Sequence, residues 1–152
     1  MASNPVNKLF HGIYENTLVI FHKAGEALEE MMVVSLDSSG DLVKCSGDME
    51  PYGFCAQKAT DSGYDELELN GLITRVAEVG NELYPCGCYV GSNGVLKTDQ
   101  VHGEVSAGDK LYPHDTDSGK ICKSGQNGSA VQIGVALADK DSDGVVKFRT
   151  RL

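Results

Sequence analysis

Short apolar runs separated by glycine and aspartate make up most of the chain. The first run covers residues 17–21, and two further runs at 31–36 and 41–45 are joined by Asp-Ser-Ser-Gly at 37–40. Short β-branched runs bounded by such turns are typical of strands and hairpins. At 146–152 apolar and basic side chains alternate, as expected of a strand with one buried face. These patterns predict an all-β protein.

Two further segments bear on the secondary structure. Residues 66–69 read Glu-Leu-Glu-Leu, and this strict alternation predicts one half-exposed strand. Residues 24–32 contain Ala, Leu, Glu and Met, which have good helix propensities. A sequence repeat nevertheless favours a turn that leads into a strand at this point.

The repeat has three copies, each consisting of a small residue, Gly, a polar pair and Leu, then a short run, a Gly turn and an apolar pair beside Lys. The copies span residues 24–44, 79–97 and 107–123. Leu-Tyr-Pro occurs in the second and third copies, and Pro there would interrupt a helix. The repeat predicts one recurring hairpin unit, in which Tyr84 and Tyr112 are packing residues.

Five glycines are predicted to have structural roles. The leading glycine of each copy would provide a positive φ where the hairpin unit begins, and these are Gly25, Gly80 and Gly108. The segments 52–56 and 133–137 resemble each other, and each carries a central glycine within a strand, Gly53 and Gly134. A glycine in a strand usually marks a bulge or a close backbone approach.

Together these elements predict a compact β-sandwich or partly open barrel built from repeated hairpin units. We expect a single β-rich domain over residues 17–152. Residues 1–16 lack periodicity and predict an extended N-terminal arm.

The net charge of the chain argues against two classes of binding partner. Lys and Arg number 13 and Asp and Glu 22, which gives a formal net charge of −9. Such a charge repels phosphates, so we expect neither nucleic acid nor an anionic membrane as a partner. Residues 1–10 contain no apolar core of a signal peptide, so we expect the chain to be made and kept in a cytoplasm.

The odd number of cysteines, five, favours free thiols that act as small buried apolar groups. Cys86 and Cys88 flank one glycine, whereas zinc sites usually have a two-residue gap and a second ligand pair. In a strand both sulfurs would project to one face, and we expect that face to be the core. We predict no metal and no other cofactor.

Residues 139–144 match the start of a calcium loop, with Asp139, Asp141 and Asp143 followed by Gly144. The closing position is Thr150 rather than Glu, so an acidic hairpin turn is the favoured interpretation. The histidines are scattered and predict loop or surface residues rather than ligands; they are His11, His22, His102 and His114. No pattern of nucleophile, base and orienting group is present, so we expect no enzyme activity.

The succession of small and apolar residues resembles the head decoration, or cement, proteins of tailed bacteriophages. In those families an alanine-glycine-acid-x-leucine turn precedes a strand, and a glycine-valine-alanine strand comes shortly before the C-terminal strand. The residues that carry the resemblance are 24–28, 33–36, 40–43, 52–56, 105–111, 119–121 and 133–138. The resemblance extends over residues 17–152.

The resemblance implies a β-tulip or β-sandwich domain in a structural virion protein that binds the outer surface of the assembled head and locks neighbouring capsid subunits. Its partners would be the major capsid protein and other copies of itself, with a homotrimer favoured and a homodimer possible. It would be located on the capsid exterior after assembly in the host cytoplasm. The arm would anchor the chain through four apolar side chains, Leu9, Phe10, Ile13 and Tyr14, and the alternative is a disordered tail without function.

Three alternatives stay open at this point. A phage tail or head-fibre component would usually show repeats through a longer chain. A carbohydrate- or surface-binding β-module would need exposed aromatic side chains, and Trp is absent. An enzyme that uses Cys86 or Cys88 would need an electropositive pocket to lower the pKa of a thiol.

Overall fold

A computed structural model of the protein describes residues 18–47, 49–67, 71–91, 93–124 and 131–152. These residues form strands joined by turns, and they contain no helix that could span a membrane. The strands are β1 (Leu18–His22), β2 (Val33–Leu36), β3 (Leu42–Lys44), β4 (Gly53–Cys55), β5 (Ala59–Thr60), β6 (Tyr64–Leu67), β7 (Leu72–Arg75), β8 (Ala77–Glu78), β9 (Cys86–Val90), β10 (Val95–Thr98), β11 (Lys110–Pro113), β12 (Ile121–Lys123), β13 (Gly134–Ala136) and β14 (Val146–Thr150).

Most of the predicted strands are confirmed. The run at 17–21 corresponds to β1, and the runs at 31–36 and 41–45 form the antiparallel hairpin of β2 and β3. In β14 buried and half-buried residues alternate, as predicted. The alternation predicted at 66–69 falls partly on β6, and its last two residues lie outside the described residues, as does the arm at 1–16.

Two five-stranded antiparallel sheets contain ten of these strands, and the two sheets have the same topology. The first sheet has the order β1-β9-β4-β2-β3 and the second has the order β10-β14-β13-β11-β12. Each half of the chain contributes five strands to its sheet. Counted in chain order within each half, strand one pairs with strand five, strand five with strand four, strand four with strand two, and strand two with strand three. The chain is therefore an internal duplication of one five-strand unit.

The register of the strands repeats as well. Gly53 lies opposite Val34 in the first sheet, as Gly134 lies opposite Leu111 in the second. Both halves also carry an isolated parallel bridge to the third strand of the unit, from Ala24 in the first half and from Val101 in the second. Each residue of the first sheet therefore has a defined counterpart in the second.

The three-copy hairpin repeat predicted from the sequence is not what the strands form. Copies one and three contain the hairpins β2–β3 and β11–β12, but copy two runs from β9 of one sheet to β10 of the other, which do not pair. The three segments have similar sequences because each contains a turn, and a Gly followed by polar residues is suited to turns in many structural contexts. The true repeat has two copies and is set by strand pairing.

The predicted glycines have two different roles. Gly80 and Gly108 have left-handed φ values of 75° and 89°. Gly25 does not belong to this class; a Cβ there would lie 3.0 Å from Val43 Cγ1, so the requirement is space rather than a positive φ. At Gly53 a Cβ would collide with the carbonyl oxygen of Tyr89, and at Gly134 it would lie 2.6 Å from that of Arg149. Both strand glycines thus permit a close backbone approach.

The two sheets pack face to face around the larger hydrophobic core. Val33, Phe54 and Tyr89 of the first sheet meet side chains of the second sheet such as Leu111 and Phe148. The rings of Phe54 and Phe148 have their centroids 5.0 Å apart at a tilted angle. This arrangement is a β-sandwich.

A second core lies on the opposite face of the first sheet. There Val34, Cys55 and Cys88 are covered by residues 56–85, a connection between β4 and β9 that contains β5–β8 and contributes Ala59 and Ala77. We call residues 56–85 the insertion, because the equivalent connection in the second half is only 137–145. Apart from its edge strand β1, the first sheet is consequently buried on both faces.

The second sheet is buried on one face only. Its outer face carries four basic residues, namely Lys97, Lys110, Lys147 and Arg149. The counterparts of its inward-facing Leu111 and Phe148 are Val34 and Cys88, which face the insertion. The two sheets are therefore stacked with equivalent faces pointing in the same direction.

Candidate interaction surfaces

The cysteines form no exposed reactive site. All five are free and buried, as predicted, and three of them meet beneath the insertion: Cys55, Cys86 and Cys88. The sulfurs of Cys55 and Cys86 are 3.4 Å apart and share a hydrogen bond, and both lie close to the backbone carbonyl oxygen of Gln57, at 2.8 and 3.4 Å. These contacts hold the thiols in the core, away from any external substrate.

The thiol pKa values reflect this environment. Burial raises the pKa of Cys88 to about 12. The hydrogen bond between Cys55 and Cys86 raises the pKa of Cys55 well above its usual value and lowers that of Cys86. A lowered pKa favours a nucleophilic thiolate, but the Cys86 side chain has no exposed surface.

The acidic loop between β13 and β14 uses its carboxylates to hold backbone. Asp141 Oδ1 accepts from the amides of Asp143 and Val145, each at 2.9 Å, and Asp139 Oδ1 accepts from the amide of Ala107 at 2.9 Å. The residues thus form a hairpin turn of the kind the sequence favoured. Across the described parts of the chain, no three His, Cys, Asp or Glu side chains are grouped so that they could hold a metal ion.

Two of the histidines are brought together, which the sequence analysis missed. The rings of His102 and His114 have centroids 3.9 Å apart, and His114 is buried rather than exposed in a loop. His114 Nδ1 accepts from the amides of Thr116 and Asp117 at 3.2 and 2.9 Å. Because the lone pair of Nδ1 is used in this way, that nitrogen is unsuited to act as a base for the Thr116 hydroxyl.

Exposed apolar side chains are concentrated in two places. Among the described residues ten large apolar side chains are exposed, of which four are consecutive residues of β1 and five lie in the insertion. The tenth is Leu137. Such clustering on a small protein indicates interaction surfaces, whereas single exposed apolar residues are ordinary.

The first surface is the strand β1, which lies at the edge of its sheet. Leu18, Val19, Ile20 and Phe21 are 64, 43, 38 and 58% exposed. The strand pairs with β9 on one side, and none of the other described strands pairs with its other side.

The second surface is built around a stacked arginine in the insertion. The guanidinium of Arg75 lies 3.4 Å from the ring centroid of Tyr84 and 4.7 Å from that of Tyr64, and it contacts Glu78 Oε1 at 3.2 Å. Ile73 lies two residues before Arg75 in β7, so their side chains share one face of the β6–β7 hairpin with Tyr64. We call Tyr64, Ile73, Arg75 and Tyr84 the aromatic patch.

The residues predicted as functional fall outside this patch. The arm residues Leu9, Phe10, Ile13 and Tyr14 lie outside the described residues. Tyr84 was expected to pack within a hairpin, but it is exposed and stacks on Arg75. Arg75 and Tyr84 meet because the turn after β8 folds back, with the amide of Glu78 donating to the carbonyl of Tyr84 at 3.1 Å, and no sequence pattern indicated this contact.

Comparisons with known proteins do not supply a family for this chain. No protein-family model matches the sequence. No curated protein matches it significantly.

Proposed function

We propose that this protein is a structural virion protein that binds the outside of an assembled tailed-phage head and stabilises the lattice. The proposal combines the resemblance of residues 17–152 to head decoration proteins with the nature of the exposed surfaces. Its partners would be the major capsid protein and further copies of itself. On this proposal the chain works by adhesion and performs no chemistry.

The observation that carries the proposal is the aromatic patch. Tyr and Arg are the residues most enriched among those that dominate protein–protein binding energy. The stack of Arg75 between Tyr64 and Tyr84 fixes these side chains before any partner arrives, so binding would cost little additional side-chain entropy. We propose that this patch contacts the capsid.

The insertion that bears the patch occurs in only one of the two repeats. The second repeat builds the same five-stranded sheet with the short connection 137–145, so the sheet topology does not depend on a long connection at this place. An added segment with exposed Leu72, Ile73 and Leu83 is consistent with a binding element attached to a general scaffold.

Many identical copies on a lattice would make a modest contact sufficient. A specific interface buries on the order of 1,000 Å² or more, and symmetry repeats the same contact at every site. Where copies also contact each other, binding of one raises the effective concentration of the next. The resemblance favours a trimer for this assembly, with a dimer as the alternative.

The first test is the copy number of this chain in purified particles from the source lysate, measured by quantitative mass spectrometry against the major capsid protein. A fixed ratio near one to one, or one per few capsid subunits, is expected. A handful of copies per particle would point to a tail or fibre component, and absence from particles would overturn the virion proposal.

The second test addresses the patch. The double variant Arg75→Ala, Tyr84→Ala should bind heads that lack this protein about 30-fold more weakly or worse, as expected when such anchor residues are truncated. The control is Leu137→Ala, which removes an exposed apolar side chain elsewhere and should bind normally. Equal binding by both variants would exclude the patch as the capsid contact.

A carbohydrate-binding β-module is the second candidate, because Tyr64 and Tyr84 are 51 and 44% exposed and could stack on sugar rings. One experiment distinguishes the carbohydrate-binding module from the virion protein. Glycan-array binding that is lost in the same double variant, with no binding to heads, would favour the carbohydrate module.

A further inference from the structure

The edge strand β1 lacks the usual protection against pairing. Exposed edge strands of natural proteins are commonly blunted by a charged side chain, a proline or a bulge. β1 has the sequence Leu-Val-Ile-Phe-His, with no charged residue among the four exposed positions and no proline. The backbone N–H and C=O groups that point away from β9, which belong to alternate residues of the strand, can therefore pair with a further strand.

The duplicated sheet provides an internal comparison. β10 is the counterpart of β1 at the edge of the second sheet. By their register with the neighbouring strand, Lys97 of β10 corresponds to Phe21 of β1, and Leu96 corresponds to Ile20. Leu96 is fully buried, whereas Ile20 is exposed. The same edge is thus blunted by a lysine in one repeat and left apolar in the other.

We propose that β1 is a self-association strand that pairs with β1 of a second copy of this chain. Two identical strands can pair antiparallel about a two-fold axis, which makes a closed dimer and leaves no further edge of this kind exposed. The pairing would join the two first sheets into one continuous ten-stranded sheet. It is independent of the capsid proposal, since it needs only this chain.

The side chains fit such a pair when the two-fold axis passes through Ile20. Val19 of each copy then lies opposite Phe21 of the other on one face, and the two Ile20 side chains meet on the other face. Aromatic and β-branched residues that face each other across strands are favourable pairs. Because the contact is two-fold, it predicts a dimer rather than the trimer that the family resemblance favours.

The test is the solution mass of the full chain by light scattering and sedimentation velocity, from about 1 to about 100 µM, a range that covers micromolar association. We expect twice the protomer mass of 16.2 kDa. Phe21→Lys copies the residue present in β10 and should give a monomer that stays folded, with an unchanged far-UV circular dichroism spectrum. Leu83→Lys, a matched change at an exposed leucine in the insertion, should stay dimeric.

A monomeric wild type over this range would overturn the proposal, and so would a trimer or a dimer that Phe21→Lys leaves intact. A second variant guards against misfolding of the first. Ile20→Cys should form an intermolecular disulfide on incubation with oxidised glutathione, which takes up the two protons and two electrons released by the two thiols. Leu83→Cys should not crosslink; equal crosslinking by both would overturn the register.

The two proposals fail separately. A dimer that does not bind heads would leave the β1 pairing intact and remove the virion function. A monomer found at fixed stoichiometry on particles would do the reverse.

Discussion

Met31 and Gly108 occupy equivalent positions in the two repeats, and both have left-handed backbone, with φ of 65° and 89°. The amide of Met31 donates to the carbonyl of Cys55 at 2.7 Å, and that of Gly108 donates to the carbonyl of Ala136 at 2.8 Å. The second repeat thus has glycine at this left-handed position, whereas the first repeat has a methionine whose side chain is fully buried in the main core.

This relationship predicts the effect of Met31→Gly. The change relieves a left-handed conformation that costs roughly 1–2 kcal/mol for an L-residue. It also deletes a buried Met side chain, and truncation of such a residue typically costs about 2–5 kcal/mol. We therefore expect a net loss of about 1–3 kcal/mol in urea unfolding, since burial outweighs strain. A stabilised variant would show that the Met31 side chain contributes little to the core.

Adding a side chain at Gly53 or Gly134 should destabilise the protein more through steric overlap with the adjacent strand than through the loss of backbone flexibility. Gly53→Ala and Gly134→Ala each place a Cβ against a backbone carbonyl of the adjacent strand, which cannot move without breaking the ladder. We expect a loss of stability of about 2–3 kcal/mol for each, in the range of overpacking substitutions. The control is Gly40→Ala, where φ is 80° but no atom lies within 4 Å of the new Cβ. There the cost should be only the backbone strain of about 1 kcal/mol, and similar losses in all three variants would contradict the close-approach interpretation.

The buried thiol of Cys88 predicts a loss of stability in alkali. Its pKa is about 12 in the folded protein against an ordinary value of 9.0, so the unfolded chain releases this proton at lower pH than the folded one. Stability from this group is fully present below pH 9 and is lost as the pH rises from 9 towards 12. Urea midpoints at pH 7.5, 9 and 10 should fall progressively, and Cys88→Ala should reduce the slope. An identical slope in the variant would assign the pH dependence to other groups.

The thiols should also be inert in the folded state. All five are buried, so we expect an aromatic disulfide reagent to react slowly with the native protein at pH 8 and rapidly in denaturant. Cys86, whose pKa is lowered, is the thiol to monitor by peptide mapping. Rapid stoichiometric labelling of Cys86 in the native protein would reopen the enzyme alternative.

Local sequence patterns predicted the strands well and their arrangement poorly. The hairpin of β2 and β3, the two glycine strands and the alternation of β14 follow from side-chain periodicity and turn residues, which are local. The duplication does not, because it matches Met31 to Gly108 and Val33 to Lys110, pairs with no common side-chain chemistry. Backbone pairing sets these equivalences, and the residue types are free to diverge around it.

Local sequence patterns also did not predict the two interaction surfaces. Tyr84 belongs to a Leu-Tyr-Pro motif that also occurs around Tyr112, but the first copy lies at the end of the insertion and the second lies in a sheet. The side chain of Tyr84 meets Arg75 because the turn after β8 folds back, with the amide of Glu78 donating to the carbonyl of Tyr84 at 3.1 Å. A single turn of this kind leaves no apolar periodicity in the chain.

The common orientation of the two sheets has a consequence for growth of the structure. A stack whose layers all face the same way has no natural end, since each outer face is the one that the next layer would cover, as in a solenoid. Here the insertion closes one end. At the other end Lys110 and Arg149 stand where the first sheet has Val33 and Tyr89, so charge replaces the apolar side chains on which another layer would pack. The protein is in this sense a two-layer array with a cap at each end, and stacking the basic outer faces of two molecules against each other would bring like charges together.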